Sequence, residues 1–162
     1  MIEKIISGGQ TGVDSAVLDV AIELEIKYGG FCPAERINEN GKMPDKYRNL
    51  QEISFDHPYT EKENYDTRTK KNIALADGTL ILVPTYPLPT RIKDGTILTI
   101  EAAGDKKLII NLSEPQQDNV ERIVKWIKEQ NIKKLNIGGP RESNSPGIYQ
   151  ASLELLRKVF IF

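Results

Sequence analysis

The 162 residues are 39% hydrophobic and 28% charged with a formal net charge of −1, the balance of a folded chain with no overall field to draw it to nucleic acid. A single cysteine excludes an intramolecular disulfide, and with only one histidine no nitrogen-and-sulfur zinc site can be assembled within the chain. No apolar run approaches a membrane span, and the opening MIEKIISGG is too short and too acidic for a signal peptide, so a cytoplasmic chain without a membrane or nucleic-acid partner is expected.

In chain order, Ile2, Ile5 and Ile6 form a short apolar strand that runs into SGGQTG. Val13, Ala16, Val17, Val20, Ala21 and Leu24 then recur at helical spacing. The stretch GGFCPAERINENGKMPDKYRN has little periodicity and reads as a long ordered loop, followed by a brief strand over residues 52–55. His57, before Pro58 in the polar run FDHPYTEKEN, reads as surface loop. A polar helix is expected over residues 64–76, a strand over 79–83, a proline-rich loop, a helix over 96–103 and a strand over 108–112. A helix over 117–130 carries Val120, Ile123, Val124 and Ile127 on one face, a strand over 134–137 ends in a second glycine pair, and the last helix carries Ile148, Ala151, Leu155 and Val159. With no repeat or linker, residues 1–162 read as one α/β domain with a mostly parallel sheet, because each helix returns the chain to start a parallel strand.

Ligands of such sheets bind beyond the carboxyl ends of the strands, and three turns of unusual chemistry fall at that edge: SGGQTG, the loop ending in RIKDGT, and GGPRESNSPG. The first is neither a Walker A loop nor a Gly-x-Gly-x-x-Gly dinucleotide turn. A glycine turn opening onto a helix nonetheless points unpaired N–H groups outward, which suits an anion; the alternative is tight strand–helix packing alone. Thr11 is expected to cap that helix, with Asp14 three residues on as a weak capping box. In the last turn, Arg141 offers a planar fork for phosphate or carboxylate beside Ser143 and Ser145, with a surface ion pair to Glu142 or Glu114 as its plainer alternative, and Pro146 and Gly147 open the final helix. Tyr65, Arg68, Thr69 and Asn72 share one helical stripe, either a solvated face or the wall of a groove. Cys32, in a tight turn with Arg36 as the nearest cation, reads as a buried structural thiol.

Five segments in order, IISGGQTGVD, GGFCPAER, the Tyr65 to Asn72 run leading to ADGTLIL, DGTILT and GGPRESNSPGIY, together resemble the family of proposed molybdenum cofactor carriers, over essentially the whole chain. The resemblance implies a Rossmann-like three-layer fold with helices on both faces of the sheet, related to the lonely-guy nucleotide hydrolases and nucleotide-sensing domains. It implies a homo-oligomer, dimer or tetramer, that binds a phosphorylated ligand, the molybdenum cofactor (molybdopterin) or a related nucleotide-like molecule. Carried over residue by residue, the ligand-contacting positions are Gly8, Gly9, Gln10, Thr11, Gly12, Arg68, Gly95, Thr96, Arg141 and Ser143, with no metal ligands in the chain. The chain departs from the family pattern at Ser15, where arginine is usual, at Asp94, where glycine is usual, and at Phe31, where tryptophan is usual; the first two weaken the electrostatics for an anion.

Two classes of function stand side by side: a carrier or sensor without turnover, and a nucleotide N-glycosidic hydrolase like the lonely-guy enzymes. The catalytic glutamate of those hydrolases corresponds to Thr99, and Glu101, two residues on, is expected to face elsewhere. That favours binding. The closing Val-Phe-Ile-Phe is apolar for a terminus, and Phe160, Ile161 and Phe162 are expected at a subunit interface or folded back on their own domain.

Overall fold

The computed structural model describes residues 1–161. Nine strands and five helices follow one another: β1 (Lys4–Ile6), α1 (Val13–Glu23), β2 (Tyr28–Gly29), β3 (Phe31–Cys32), β4 (Ile37–Asn38), β5 (Gly41–Lys42), β6 (Gln51–Glu52), α2 (Glu61–Leu75), β7 (Gly78–Val83), α3 (Thr96–Ala102), β8 (Lys107–Asn111), α4 (Gln116–Glu129), β9 (Lys134–Gly138) and α5 (Ile148–Val159). Five of the strands form one sheet in the order β2-β1-β9-β7-β8, every pairing parallel. The last strand of the chain therefore lies at its centre.

Alternation along the strands sorts the sheet into two faces. Leu80 and Leu82 of β7 and Leu135 and Ile137 of β9 join the main core with Val13, Val17, Ile123, Leu155 and Leu156, where α1, α4 and α5 pack together. The residue between them on β9, Asn136, points the other way, toward the layer of α2 and α3. This is the Rossmann-like arrangement with helices on both faces of a parallel sheet.

The region that lacks periodicity is not one long loop. It is built from two-residue strands, β3 paired with β6 and β4 with β5, and two 3-10 turns. Strands that short give no alternation to read, and side chains hold their backbone instead. Asn72 accepts from the Phe31 N–H at 2.7 Å and donates to the Phe31 carbonyl at 2.9 Å; Asn64 does the same for Ala34 at 2.7 and 3.1 Å. Arg36 donates to the carbonyls of Leu50 and Tyr47, and its Nη1 lies 3.5 Å from Cys32 Sγ. Cys32 is buried with Leu18, Met43, Tyr47 and Leu50, and burial pushes its thiol up. It belongs to a small core.

Two local expectations are corrected. Thr11 does not cap α1: the N-cap is Gly12, with no side-chain bond, and the Thr11 hydroxyl instead donates to Glu39 at 2.5 Å and accepts from the Glu142 N–H at 3.1 Å. Pro146 does not open α5, which starts at Ile148 after Gly147 at φ 90°, a conformation glycine adopts without strain. The Glu142 carboxylate caps this helix, accepting from the N–H groups of Gly147 at 2.7 Å and Tyr149 at 2.9 Å. At the other end, Phe160 is 4% exposed in its own core whereas Ile161 is 71% exposed, and Phe162 lies outside the described residues.

Candidate functional site

The three unusual turns meet. Above the carboxyl ends of β1 and β9, between α2 and α3, lies a cavity of about 500 Å³, within the range of small-molecule sites. Gly8 and Gln10 line it from the first turn, Lys93, Asp94, Gly95 and Thr96 from the second, and Gly138, Gly139 and Arg141 from the third. α2 adds Tyr65, Arg68, Thr69 and Asn72, so the polar stripe is a cavity wall and not a solvated face. Among the described residues no cluster of histidine, cysteine and carboxylate side chains has the arrangement to hold a metal ion.

Arg68 organises the wall. It is 7% exposed, its Nη1 donates to the Gly8 carbonyl at 2.6 Å, and its Nε donates to Thr69 Oγ1 at 3.2 Å. A Cβ on Gly8 would fall 2.6 Å from Arg68 Cδ, so the bare backbone at that position serves the arginine. The guanidinium carbons of Arg68 and Arg141 lie 5.5 and 5.6 Å from the centroid of the same Tyr65 ring, within cation–π range.

The other glycines of the first turn serve packing. A Cβ on Gly9, at φ 80°, would fall 2.6 Å from Met43 Cε, and one on Gly12, at φ 75°, would fall 2.5 Å from the Pro140 carbonyl oxygen. Neither lines the cavity, and neither do Thr11 and Ser143. Those two side chains are held by Glu39, which also accepts from the Ser143 N–H at 3.2 Å. Gly8, Gln10, Arg68, Gly95, Thr96 and Arg141 are the expected positions that come together at one surface.

The chain's own carboxylates take many donors that an anion would seek. Asp94 accepts from the Thr96 N–H at 3.0 Å, the Thr96 hydroxyl at 2.6 Å, the Arg141 N–H at 3.1 Å and the Asn144 amide at 3.0 Å. Burial raises its carboxyl, but these hydrogen bonds outweigh burial and hold it below the ordinary value. Arg141 Nε lies 3.9 Å from Glu39 and 4.0 Å from Asp94, so its charge is balanced from within the site and not by Glu142 or Glu114; the latter pairs with Arg122.

Two buried donors remain without a hydrogen bond. Gln10 is 6% exposed; its Oε1 accepts from the N–H groups of Thr11 at 3.0 Å and Glu39 at 2.9 Å, which fixes the amide orientation and leaves Nε2 buried and unbonded. Arg141 Nε is likewise buried without a hydrogen bond. Orphaned buried donors of this kind cost about 1–3 kcal/mol each unless something accepts from them.

Asp14, expected only as the acid of a capping box, is a buried acid lining the cavity, 8% exposed, and its Oδ2 accepts from the Gln10 N–H at 3.1 Å. Desolvation pushes its carboxyl up to about 6, against the lowering pull of Arg68 and the Gln10 N–H and with a further push from Asp94. The available signal is its place on an apolar helical face, four residues before Leu18. Glu101 also lines the cavity, contrary to the expectation that it faces elsewhere; it is exposed at the mouth, and α3 is only seven residues long. Thr99, at the position of the hydrolases' glutamate, spends its hydroxyl on the Gly95 carbonyl at 2.9 Å.

A parallel α/β sheet with a polar cavity beyond the carboxyl ends of its strands defines a Rossmann-like small-molecule-binding domain. Residues 5–160 match the circularly permutated YpsA SLOG family, and the chain belongs to it. The structure is similar, with a TM-score of 0.86 and 40% identity over 99% of this chain and 96% of the other, to the crystal structure of a protein from Syntrophus aciditrophicus SB named "putative molybdenum carrier protein". A search of curated proteins gave no match. No helix among the described residues is long and apolar enough to cross a membrane.

Proposed function

We propose that this protein is a binding or carrier protein for a phosphorylated cofactor, the molybdenum cofactor (molybdopterin) or a nucleotide-like ligand, held in the cavity between α2 and α3 without turnover. The observation that carries this reading is the buried, unbonded Gln10 Nε2 on the same cavity wall as two guanidinium groups, the buried Arg68 and Arg141, whose Nε has ion-pair neighbours but no hydrogen bond. An acceptor-rich anionic group supplies what those donors lack. The name of the structural neighbour supports a molybdenum-related cargo.

Within the cavity, Arg68, Arg141 and Gln10 hold the anionic group, whereas Asp94 already fills the donors of Thr96, so the phosphate end sits nearer the first turn than the start of α3. The chain acts as one ligand-binding unit over residues 1–162, in the cytoplasm and as a homo-oligomer; the exposed apolar side chains of Met1, Val124 and Ile161 suit a subunit contact. Native mass spectrometry of the purified protein tests the reading: a co-purified pterin or nucleotide is expected, and protein that arrives empty and stays empty when supplied with either overturns it.

The presence of Glu101 at the cavity mouth favours a second reading, hydrolysis of a nucleotide N-glycosidic bond. Release of free base from nucleoside monophosphates, lost in Glu101→Gln, would promote that reading over the first.

A further inference from the structure

The two arginines of the cavity wall are held in different ways. Arg68 is tethered, its Nη1 on the Gly8 carbonyl at 2.6 Å and its Nε on Thr69 Oγ1 at 3.2 Å. The Arg141 guanidinium makes no hydrogen bond to any described residue: its Nε lies 3.9 Å from Glu39 and 4.0 Å from Asp94, beyond hydrogen-bonding distance, and the Arg141 group that does bond to Asp94 is the backbone N–H. Its side chain is nonetheless only 23% exposed, so a long charged group sits in a largely enclosed place without a directional contact. What it meets there is the Tyr65 ring, whose centroid is 5.6 Å from Arg141 Cζ and 5.5 Å from Arg68 Cζ. Tyr65 lies three residues before Arg68 on α2, so one ring links a tethered arginine to an untethered one.

We propose that Tyr65 is a positioning residue: its ring fixes the Arg141 side chain at the cavity while leaving the guanidinium N–H donors free for an anion. A hydrogen bond or a bidentate ion pair would fix the same side chain only by consuming part of its five-donor fork. An aromatic face attracts the cation through the ring quadrupole and takes no donor. Two guanidinium groups at one cavity also repel each other, and a shared ring offsets that repulsion. Ordering before binding matters because an arginine already in place loses less side-chain freedom when an anion arrives. The inference rests on the proposed binding function and states how the less tethered of its two arginines is kept ready.

The test uses the whole protein, with inorganic phosphate as the probe, in Tyr65→Phe and Tyr65→Leu. Leucine fills apolar space without a ring; phenylalanine keeps the ring and drops the hydroxyl. Calorimetry should find phosphate bound about fivefold more weakly by Tyr65→Leu, the factor to which a cation–π contact of ordinary strength corresponds, and bound by Tyr65→Phe as by the parent. A second readout needs no ligand: the rate at which phenylglyoxal modifies Arg141, followed by peptide mass spectrometry, should rise in Tyr65→Leu and stay at the parent value in Tyr65→Phe. Tyr65→Met takes the place of the leucine variant if that one does not fold. Phosphate affinity lost equally in both variants, with Arg141 reactivity unchanged, would mean that the hydroxyl touches the anion and overturns the inference. Reactivity and affinity at parent values in Tyr65→Leu overturn it as well. A parent that binds no phosphate counts against the binding function, and the Arg141 reaction rates then decide the inference on their own.

Discussion

Arg68 Nη1 donates to the Gly8 carbonyl at 2.6 Å, joining residues sixty positions apart in sequence and tying the first glycine turn to α2. The bond explains why a helix as polar as EKENYDTRTKKNIAL is buried on one side. Asn64, Arg68 and Asn72, spaced by four, are its buried residues, and each satisfies backbone groups that no strand reaches.

Gly8→Ala sets a methyl against Arg68 and should cost about 1–3 kcal/mol, as overpacking does. Gly95→Ala, whose nearest neighbour would be Thr69 Oγ1 at 4.0 Å, should be close to neutral. Urea denaturation of the two variants checks the contrast; equal midpoints would mean that Arg68 moves aside freely.

Asn72→Leu leaves the Phe31 N–H and carbonyl without their partner, at about 1–3 kcal/mol for each group left unsatisfied. The expected outcome is a lower denaturation midpoint. A variant as stable as the parent would assign the α2 stripe to the ligand alone.

These cases mark what the sequence makes legible. The periodic elements, from α1 to α5, and the convergence of the three turns follow from hydrophobic spacing and from the handedness of parallel connections. Where backbone is held by side chains across long separations, as Phe31 is by Asn72, no local pattern exists to read. The same limit applies at the site. Gly9 and Gly12 look like ligand-facing glycines, but the space a side chain would need there is filled by Met43 and by the Pro140 carbonyl, far along the chain. Asp94 registers in the sequence as one acid where glycine is usual; its role as the acceptor for Thr96, Arg141 and Asn144 emerges only in three dimensions.

Asp14 makes a pH prediction whose sign runs opposite to that of most carboxylates. Its folded value, about 6, is above the ordinary 3.8, so between those limits the folded protein binds the proton more tightly than the unfolded chain. Stability from this group is therefore full below pH 3.8 and declines as pH rises through about 6, by about 3 kcal/mol in total. Arg68 and Asp94 are the charges that act on it, pulling in opposite directions. Asp14→Asn should be the more stable protein at pH 7.5, and the difference should close near pH 4; a variant less stable at pH 7.5 would show that the ionised carboxylate is supported from within the site.

Asp94→Gly removes the carboxylate from the Thr96, Arg141 and Asn144 donors and frees them for an anion. Inorganic phosphate, titrated into both proteins, should bind the variant more tightly by about tenfold, the worth of one charge-assisted hydrogen bond. Unchanged affinity would mean that those donors stay turned away from the cavity.

The central claim, that Gln10, Arg68 and Arg141 hold an anionic cofactor in this cavity, is met most directly by comparing co-purified ligand in the parent protein and in Arg141→Ala by native mass spectrometry. The account predicts a pterin- or nucleotide-sized mass on the parent, and a variant that is folded and empty because it has lost a factor of about ten or more in affinity. A parent and a variant that carry the same mass in the same proportion would contradict it.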